Sequence, residues 1–339
     1  MNLRTFVALF RSGQLAVLPA VGRATRDYHR VAFLAAGLRS GWLQRLAAGP
    51  VPLDALAADL QLAPEMREGL STWLQTGVAT GELSRGPGGY AVRGRLAHRI
   101  LDPRNDASAA FVEEVASLHH ALISQAPARL AAGRPFTLAE QDARVIARSS
   151  RLVELFICEA LAGVIPGRGP FRLLEIGCGS GAYIRWASQR NAELTAVGVE
   201  LQEAAAALAG ENIASWGLSS RVTIEVGDIR RRTPAADFDL ATLHQNIYYF
   251  PAADRPALLR HVRGFLKPGG RLLLTTECQG SSTAAAVLDL WGAMTAGCGR
   301  LPVPSELVAQ LEATGFVGVA AHSLIPGESF YAFAGTHPG

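Results

Sequence analysis

The sequence predicts an α/β fold in its second half, a largely parallel sheet of seven strands, preceded by a mainly α-helical region. Strands and helices alternate after residue 170, which is typical of a parallel sheet with helices on both faces. The first of these strands ends at Ile176 and runs into the glycine turn Gly177–Gly181, and a helix begins near Ala182. A strand, a glycine turn and a helix N-terminus in succession favour anions and nucleotides, because free backbone N–H groups point at the ligand.

Composition bounds the class of protein. The 339 residues are enough for two domains, and 49% hydrophobic against 18% charged residues predicts a large core. The net charge of +3 is too small to indicate a nucleic-acid partner by itself. No two cysteines form a C-x-x-C pair, so neither a zinc knuckle nor a disulfide framework is indicated. Arg4, Arg11 and Gln14 interrupt the apolar N-terminus, so we expect an amphipathic helix of a cytoplasmic protein with no membrane partner.

The first hundred residues read as helices followed by a hairpin. Helices are predicted at 28–46, 51–58 and 65–76, and short strands at 82–85 and 90–93 flank a glycine-proline turn. This order resembles a winged helix. We therefore expect three regions: a winged-helix-like domain at 1–104, a helical connector at 105–168 and an α/β domain at 169–339. The connector is expected to contain a helix at 148–165 that leads into the first strand.

Two interpretations of the winged-helix-like region remain open, DNA binding and packing or dimerisation. The candidate recognition helix carries Glu65 and Glu68 against one basic residue, Arg67, and an apolar face with Leu70 and Leu74. A DNA-reading helix needs basic or amide side chains aimed at bases and phosphates, so the pattern favours packing. Several arginines of the predicted wing leave DNA binding as an alternative; they are Arg85, Arg93, Arg95 and Arg99.

Acidic residues follow successive strands of the predicted sheet, where open α/β sheets bind their ligands. Glu200 follows the strand at 194–199, and two carboxylate oxygens match a vicinal ribose diol. Asp228 follows the strand at 222–226, where a carboxylate can accept from an adenine amino group. The alternative is that both acids only cap the elements after them. The remaining strands are predicted at 171–176, 238–243, 271–276, 316–322 and 329–334, the last two as an antiparallel hairpin.

The glycine spacing is G-x-G-x-G preceded by Glu175, not the G-x-G-x-x-G of dinucleotide binders. With GVE, GDI, LHQNIYYF and LKPGG, this LEIGCGSG motif resembles those of class I S-adenosylmethionine-dependent methyltransferases, which have a Rossmann-like sheet. The N-terminal half is similar to the winged-helix-like dimerisation domain of small-molecule O- and C-methyltransferases. The resemblance implies S-adenosylmethionine as cofactor, S-adenosylhomocysteine as product and a homodimer.

The resemblance also implies the cofactor contacts. Glu175 and the glycines would line the methionine end, Glu200 would hold the ribose, Asp228 and Ile229 would flank the adenine, and the Leu243 backbone would lie near the sulfonium. The complete predicted set is Glu175, Gly177, Cys178, Gly179, Glu200, Leu201, Asp228, Ile229, Leu243 and Arg148, the last for the methionine carboxylate together with Arg151.

The segment after the fourth predicted strand carries the candidate catalytic residues. His244 is the candidate general base, because it ends that strand and its unperturbed pKa suits neutral pH. Tyr248 occupies the position near which plant-type O-methyltransferases of the family carry a catalytic histidine. Some related enzymes hold a metal with a His-Asp pair here; this chain has His244-Gln245, so we expect no metal. The predicted substrate contacts are Asn246, Tyr249, Phe111, His119, Trp291 and Met294, the last two in the segment 281–299.

The function that these observations predict is methyl transfer from S-adenosylmethionine to a small molecule. The sulfonium donor is already activated, so much of the catalysis is positioning and desolvation. An oxygen acceptor is favoured, a hydroxyl or carboxylate of an aromatic secondary metabolite. One alternative is a C-methyltransferase acting on an aromatic or 2-oxo acid substrate. The other is a winged-helix DNA-binding regulator whose methyltransferase-like domain senses a ligand.

Overall fold

A computed structural model describes residues 2–280 and 282–339. The chain divides into two compact units, Met1–His120 and Ala121–Gly339. The boundary falls inside the predicted connector, so that residues 105–120 belong to the first unit and residues 121–168 to the second.

The first unit consists of helices and one antiparallel hairpin. Its elements are α1 (Leu3–Arg11), α2 (Gln14–Arg39), α3 (Trp42–Ala47), α4 (Leu53–Asp59), α5 (Arg67–Ala79), β1 (Leu83–Gly86), β2 (Gly89–Val92), α6 (Arg95–Ile100) and α7 (Asp106–Glu114), with a π-helical turn at Val115–His119. The helices before the hairpin, and the hairpin itself, agree with the predicted order.

The predicted helix at 28–46 is wrong in its extent. It is two helices, α2 and α3, separated where Gly41 adopts φ +76°. Glycine accepts this left-handed conformation at no steric cost, and here it turns the chain and begins α3. The helix also starts earlier than predicted, at Gln14.

The candidate recognition helix, α5, contributes to the core of the first unit. Leu70 and Leu74 are buried, and Leu74 is fully enclosed with Leu34 and Leu43. Trp73 packs against the Phe33 ring, with ring centroids 4.4 Å apart. The apolar face of α5 is therefore used in packing, which is the interpretation that the sequence favours.

Apolar side chains of α1 and α2 are exposed in this structure. Leu3 is 77% and Phe10 71% exposed, and no residue of α1 is buried. Among the described helices no single one is long and apolar enough to span a membrane; α1 and α2 meet the length and composition criteria only as a pair bent by 80°.

The second unit alternates strands and helices after its first helices. Its elements are α8 (His120–Ala132), α9 (Ala143–Ser149), α10 (Glu154–Ala162), β3 (Phe171–Ile176), α11 (Ala182–Arg190), β4 (Leu194–Glu200), α12 (Glu203–Ser215), β5 (Val222–Val226), β6 (Phe238–His244), α13 (Arg255–Arg263), β7 (Leu266–Glu277), α14 (Thr283–Met294), α15 (Pro304–Ala313), β8 (Val317–Ser323) and β9 (Phe330–Thr336). The predicted 281–299 segment corresponds largely to α14, except that Ser281 lies outside the described residues.

The sheet has the strand order β5-β4-β3-β6-β7-β9-β8. Strands β3 to β7 are parallel, and β9 pairs antiparallel with both β7 and β8. This confirms the predicted α/β class, the seven strands and the final hairpin. The strand order reverses between β3 and β6, and such a switch point opens a crevice at the carboxyl ends of the strands.

The predicted helix at 148–165 is interrupted. It forms α9, a 3₁₀ turn at Ser150–Val153 and then α10. The hydroxyls of Ser149 and Ser150 donate to the carbonyls of Ile146 and Ala147, each at 3.2 Å, and so compete with the helical hydrogen bonds.

One face of the sheet changes from apolar to polar along its strands. Its interior part, with Leu173, Leu240 and Leu273, packs with α10 and α11 in one hydrophobic cluster. Side chains alternate along a strand, and the register pairs Glu175 with Thr242 and His244 with Thr275. The same face therefore ends in a buried set that we call the polar row: Glu175, Thr242, His244 and Thr275.

Candidate active site

A cavity lies at the carboxyl ends of the parallel strands of the second unit. It includes residues that follow each of β3, β4, β5 and β6, which places it at the switch point. The predicted site residues that line it are Gly177, Cys178, Gly179, Glu200, Leu201, Asp228, Ile229, His244, Asn246, Tyr248 and Tyr249.

The glycine turn is interlocked with the segment after β6. Gly177 has φ +69°, and a Cβ placed on it would lie 2.5 Å from the amide nitrogen of Asn246. That amide donates a hydrogen bond to the carbonyl of Ile176. Gly179 also has a positive φ, +53°, but a Cβ there would meet nothing within 4 Å. The turn is thus packed on one side and open at Gly179.

Glu200 braces the glycine turn. One carboxylate oxygen accepts from the Gly179 N–H at 3.0 Å, and the other accepts from the Gln202 N–H at 3.0 Å. A carboxylate has about four acceptor sites, so each oxygen keeps a lone pair for a further donor. Glu200 therefore supports the local backbone and still has the acceptors that a vicinal diol requires.

Asp228 is held by a residue that the sequence interpretation missed. Its carboxylate accepts from the Arg230 N–H at 2.9 Å and pairs with the Arg230 guanidinium at 2.7 Å. Hydrogen bonds from Arg230 are the main cause that lowers the pKa of Asp228. The Arg230 guanidinium also lies over the Phe250 ring, 5.4 Å from the ring centroid. The sequence signal that could have predicted this ion pair is an arginine two residues after the acid that ends the strand.

Glu175 was predicted to contact the cofactor, but it is not one of the described residues that line the cavity. It belongs to the polar row, is 1% exposed, and neither carboxyl oxygen has a hydrogen-bond partner. Burial, and next the charge of Glu200, raises the pKa of Glu175 well above its ordinary range. Strand alternation directs the side chain into the layer beneath the turn, where a neutral acid is the stable form.

His244 is also buried, and its two ring nitrogens differ. Nδ1 lies 2.8 Å from the Thr275 hydroxyl, whereas Nε2 is buried without a hydrogen-bond partner. Burial lowers the pKa of His244 to about 3. The ring lies 4.9 Å from that of Tyr183, a lining residue on α11 that the sequence interpretation did not include. An imidazole with so low a pKa is a weak proton acceptor, which weakens the argument for a general base.

The tyrosines after β6 are backed by an aromatic residue of α14. The Trp291 ring lies 5.8 Å from that of Tyr248 and 4.9 Å from that of Tyr249. Trp291 and Met294 are buried and do not line the cavity in the described part of the chain. The prediction that Trp291 and Met294 contact the substrate is therefore not supported. Trp291 instead packs behind Tyr248 and Tyr249, which line the cavity.

The remaining predicted residues lie in other places. Leu243 is buried within β6, and Arg148 is half-buried outside the cavity lining, whereas Arg151 lines it. Phe111 and His119 belong to the first unit, where their rings lie 5.7 Å apart. Their contact with a substrate stays a prediction. No group of three metal-ligating side chains was found in residues 2–280 and 282–339.

The residues of the cavity fit a nucleoside cofactor. Glu200 supplies acceptors for hydroxyl groups, the glycine turn is open at Gly179, and Ile229 and Leu201 supply apolar contacts. The unpartnered Asn246 oxygen is a further acceptor at the same turn. Buried polar atoms without partners are rare in folded proteins, and those of His244 and Asn246 belong to residues that line the cavity.

Comparison with known proteins gives the same picture. Residues 173–270 match a family model described as a methyltransferase domain. The 27-O-demethylrifamycin SV methyltransferase of Amycolatopsis mediterranei is 32% identical over 120 residues, 35% of this chain and 43% of that protein. The demethylspheroidene O-methyltransferase of Rhodobacter capsulatus is 25% identical over 189 residues, 54% of this chain and 46% of that protein. The matched segment thus spans less than half the length of either relative.

A solved structure shares the fold over nearly the whole chain. The mitomycin 7-O-methyltransferase MmcR superposes with a TM-score of 0.77, covering 96% of this chain and 99% of that chain. The sequence identity is 19%, so this likeness is one of fold.

Replacing Gly177 by alanine tests the interlocked turn. We expect Gly177→Ala to lower the free energy of unfolding by about 1–3 kcal/mol more than Gly179→Ala, because only at Gly177 does the new methyl group collide with Asn246. Both glycines have positive φ, so the backbone strain is common to the two variants. Urea unfolding measures the difference, and equal losses would contradict the interlock.

Replacing Glu175 by glutamine tests the buried acid. In the wild type the unfolded chain loses the Glu175 proton above pH 4.5 while the folded chain keeps it, so stability falls as pH rises. We expect Glu175→Gln to gain stability over the wild type between pH 5 and pH 8, by up to about 1.4 kcal/mol per pH unit. The exposed Glu159, changed to glutamine, is the matched control. Urea unfolding of the ligand-free protein at several pH values checks this, and a pH-independent difference would argue against a buried neutral acid.

Proposed function

We propose that this chain, whose residues 173–270 match a methyltransferase domain family, is a class I S-adenosylmethionine-dependent methyltransferase that transfers a methyl group to an oxygen of a small molecule. The observation that carries the proposal is the Glu200 carboxylate, which lines the cavity, ties the glycine turn to the start of α12 and has acceptor capacity left. The bound cofactor would supply a methyl group already activated on a sulfonium. The task left to the protein is to bind, orient and exclude water.

The cofactor contacts follow from the strand ends. Glu200 would accept from the two ribose hydroxyls, and such charge-assisted hydrogen bonds are about twice as strong as neutral ones. Ile229 and Leu201 would cover the adenine faces, and Asp228, fixed by Arg230, would accept at its edge. Asn246 would accept from the amino group through its unpartnered oxygen.

The acceptor side favours a group that is readily ionised. The pKa of His244 is lowered to about 3 by burial, so the site lacks a strong base at that position. A carboxylate or an acidic phenol needs little help to lose its proton, and methyl transfer to it depends on positioning. Tyr248, Tyr249 and Phe250 would form an aromatic wall for a flat acceptor. The names of the two curated relatives described above specify O-methylation, which supports oxygen over carbon.

The regulator alternative is disfavoured by the first unit. A recognition helix must present its side chains to a groove, but Leu70 and Leu74 of α5 are buried in the core. The matched domain family and the fold both support an enzyme instead.

A homodimer in the cytoplasm is part of the proposal. The exposed apolar side chains of α1 and α2 are too many and too close in sequence for an ordinary solvated surface, and we propose that a second copy of the chain covers them. The residues are Leu3, Phe6, Phe10, Val17, Leu18 and Val21.

Removing the Glu200 carboxylate should weaken cofactor binding. We expect Glu200→Ala to raise the Kd for S-adenosylhomocysteine at least tenfold, about 1.4 kcal/mol, because charge-assisted hydrogen bonds are lost. The control is Glu203→Ala, which removes an exposed acid three residues further along. Isothermal calorimetry measures both, and an unchanged Kd in Glu200→Ala would remove Glu200 from the site.

Light scattering tests the dimer. We expect a mass twice that of the 35.9 kDa chain at micromolar concentration. Phe10→Glu should shift the protein toward the monomer, since it places a charge on the exposed apolar face. Leu155→Glu, at an 82% exposed leucine of α10, is the matched control and should remain dimeric. A monomeric wild type would refute this part of the proposal.

A further inference from the structure

The Tyr183 hydroxyl is an unused polar group at the cavity. Tyr183 is the second residue of α11, directly after the glycine turn, and it lines the cavity. Its hydroxyl makes no hydrogen bond within the described residues, and it is not among the polar atoms that are fully enclosed. Burial, with nearby acids, raises the pKa of Tyr183, so the phenol stays neutral and keeps a proton to donate.

The Tyr183 ring is held from below by the polar row. The imidazole of His244 lies against it at 4.9 Å with an interplanar angle of 59°. The Thr275 hydroxyl, 2.8 Å from Nδ1, fixes the orientation of that imidazole. Each of the three residues therefore limits the freedom of the next.

The tautomer of His244 follows from counting protons. Thr275 is fully buried, and its hydroxyl has no hydrogen-bond partner other than Nδ1 in the described structure. If Nδ1 carried the proton, both the hydroxyl hydrogen and the Nε2 lone pair would be left unsatisfied. If Nε2 carries it, the hydroxyl donates to Nδ1 and only the Nε2–H remains unsatisfied. Each unsatisfied buried polar group costs about 1–3 kcal/mol, so the second arrangement is favoured.

Two positive groups near Tyr183 are suited to a negatively charged oxygen. The N-terminus of α11 has no side-chain cap, so its first N–H groups point out with the positive end of the helix dipole. Arg151 also lines the cavity, and its charge acts on Tyr183. Its Nε donates to the Glu154 carboxylate at 2.6 Å, which leaves the terminal N–H groups of the guanidinium for a ligand. A phenol hydroxyl, an uncapped helix start and a guanidinium together are suited to a carboxylate.

We propose that Tyr183 is a ligand-binding residue whose hydroxyl donates a hydrogen bond to the carboxylate of the cofactor's amino-acid end, and that Thr275 and His244 are positioning residues that hold the Tyr183 ring. The inference rests on the proposed function for the identity of the ligand. It gives His244 a role in positioning, in place of proton transfer.

The test compares two ligands that differ only at the amino-acid end. S-adenosylhomocysteine carries the carboxylate, and 5′-methylthioadenosine lacks the amino-acid group. We expect Tyr183→Phe to raise the Kd for S-adenosylhomocysteine about tenfold, the value of a hydrogen bond to a charged group, and to change that for 5′-methylthioadenosine less than about twofold. The phenylalanine keeps the ring and its packing, so the fold is not at stake.

Thr275 variants test the positioning role. Thr275→Val should raise the Kd for S-adenosylhomocysteine selectively, whereas Thr275→Ser, which keeps the hydroxyl, should restore wild-type binding. In the double variant Tyr183→Phe/Thr275→Val the loss should be no larger than in Tyr183→Phe, because Thr275 acts through Tyr183.

The outcomes separate this inference from the proposed function. If Glu200→Ala weakens binding of both ligands but Tyr183→Phe weakens neither, or weakens both equally, the inference is overturned and the proposed function stands. Additive losses in the double variant would overturn the positioning role. If the wild type binds neither ligand, the proposed function itself fails.

Discussion

The contact between Gly177 and Asn246 is the constraint on which the rest of the site depends. It joins the end of β3 to the segment after β6, the two strands between which the sheet reverses its order. No side chain fits between them, so the backbone of the turn lies close to the residues that follow β6. Glu200 then fixes the other side of the turn from β4. The ends of β3, β4 and β6 therefore lie close together, so that residues from all three can contact one bound nucleoside.

The polar row shows what the site requires of the fold. A sheet face that is apolar along most of its length ends in an acid, two hydroxyls and an imidazole, and the acid and imidazole keep unpartnered atoms. In a purely structural core such groups would be replaced by apolar residues, because an unsatisfied buried polar atom lowers stability. Their presence at the carboxyl ends of β3, β6 and β7 is best explained by function, since folds carry such local conflicts mainly at working sites.

Much of the fold was predictable, because the signals were periodic and local. The alternation of strands and helices gave the seven strands, and strand-end position alone identified Glu200 and Asp228 as neighbours of the glycine turn. What escaped prediction depends on three-dimensional packing. Tyr183, Arg230 and Thr275 are ordinary residues in sequence, and only the register between β6 and β7 places Thr275 beside His244. The burial of Glu175 likewise depends on the helices that pack on its face of the sheet, which the LEIGCGSG motif does not reveal.

The C-terminal hairpin has a consequence for the order in which the site is built. All lining residues of the cavity lie before residue 251, yet β7, which carries Thr275, is an interior strand only once β9 pairs with it, Thr275 opposite Ala332. Synthesis runs from the N-terminus, so the cavity residues leave the ribosome well before β8 and β9 exist. Until then β7 is an edge strand with unpaired backbone groups. The pocket therefore reaches its final rigidity late in biosynthesis, and the nascent chain passes through a stage in which the hydrophobic sheet is present and one side of it is open to other chains.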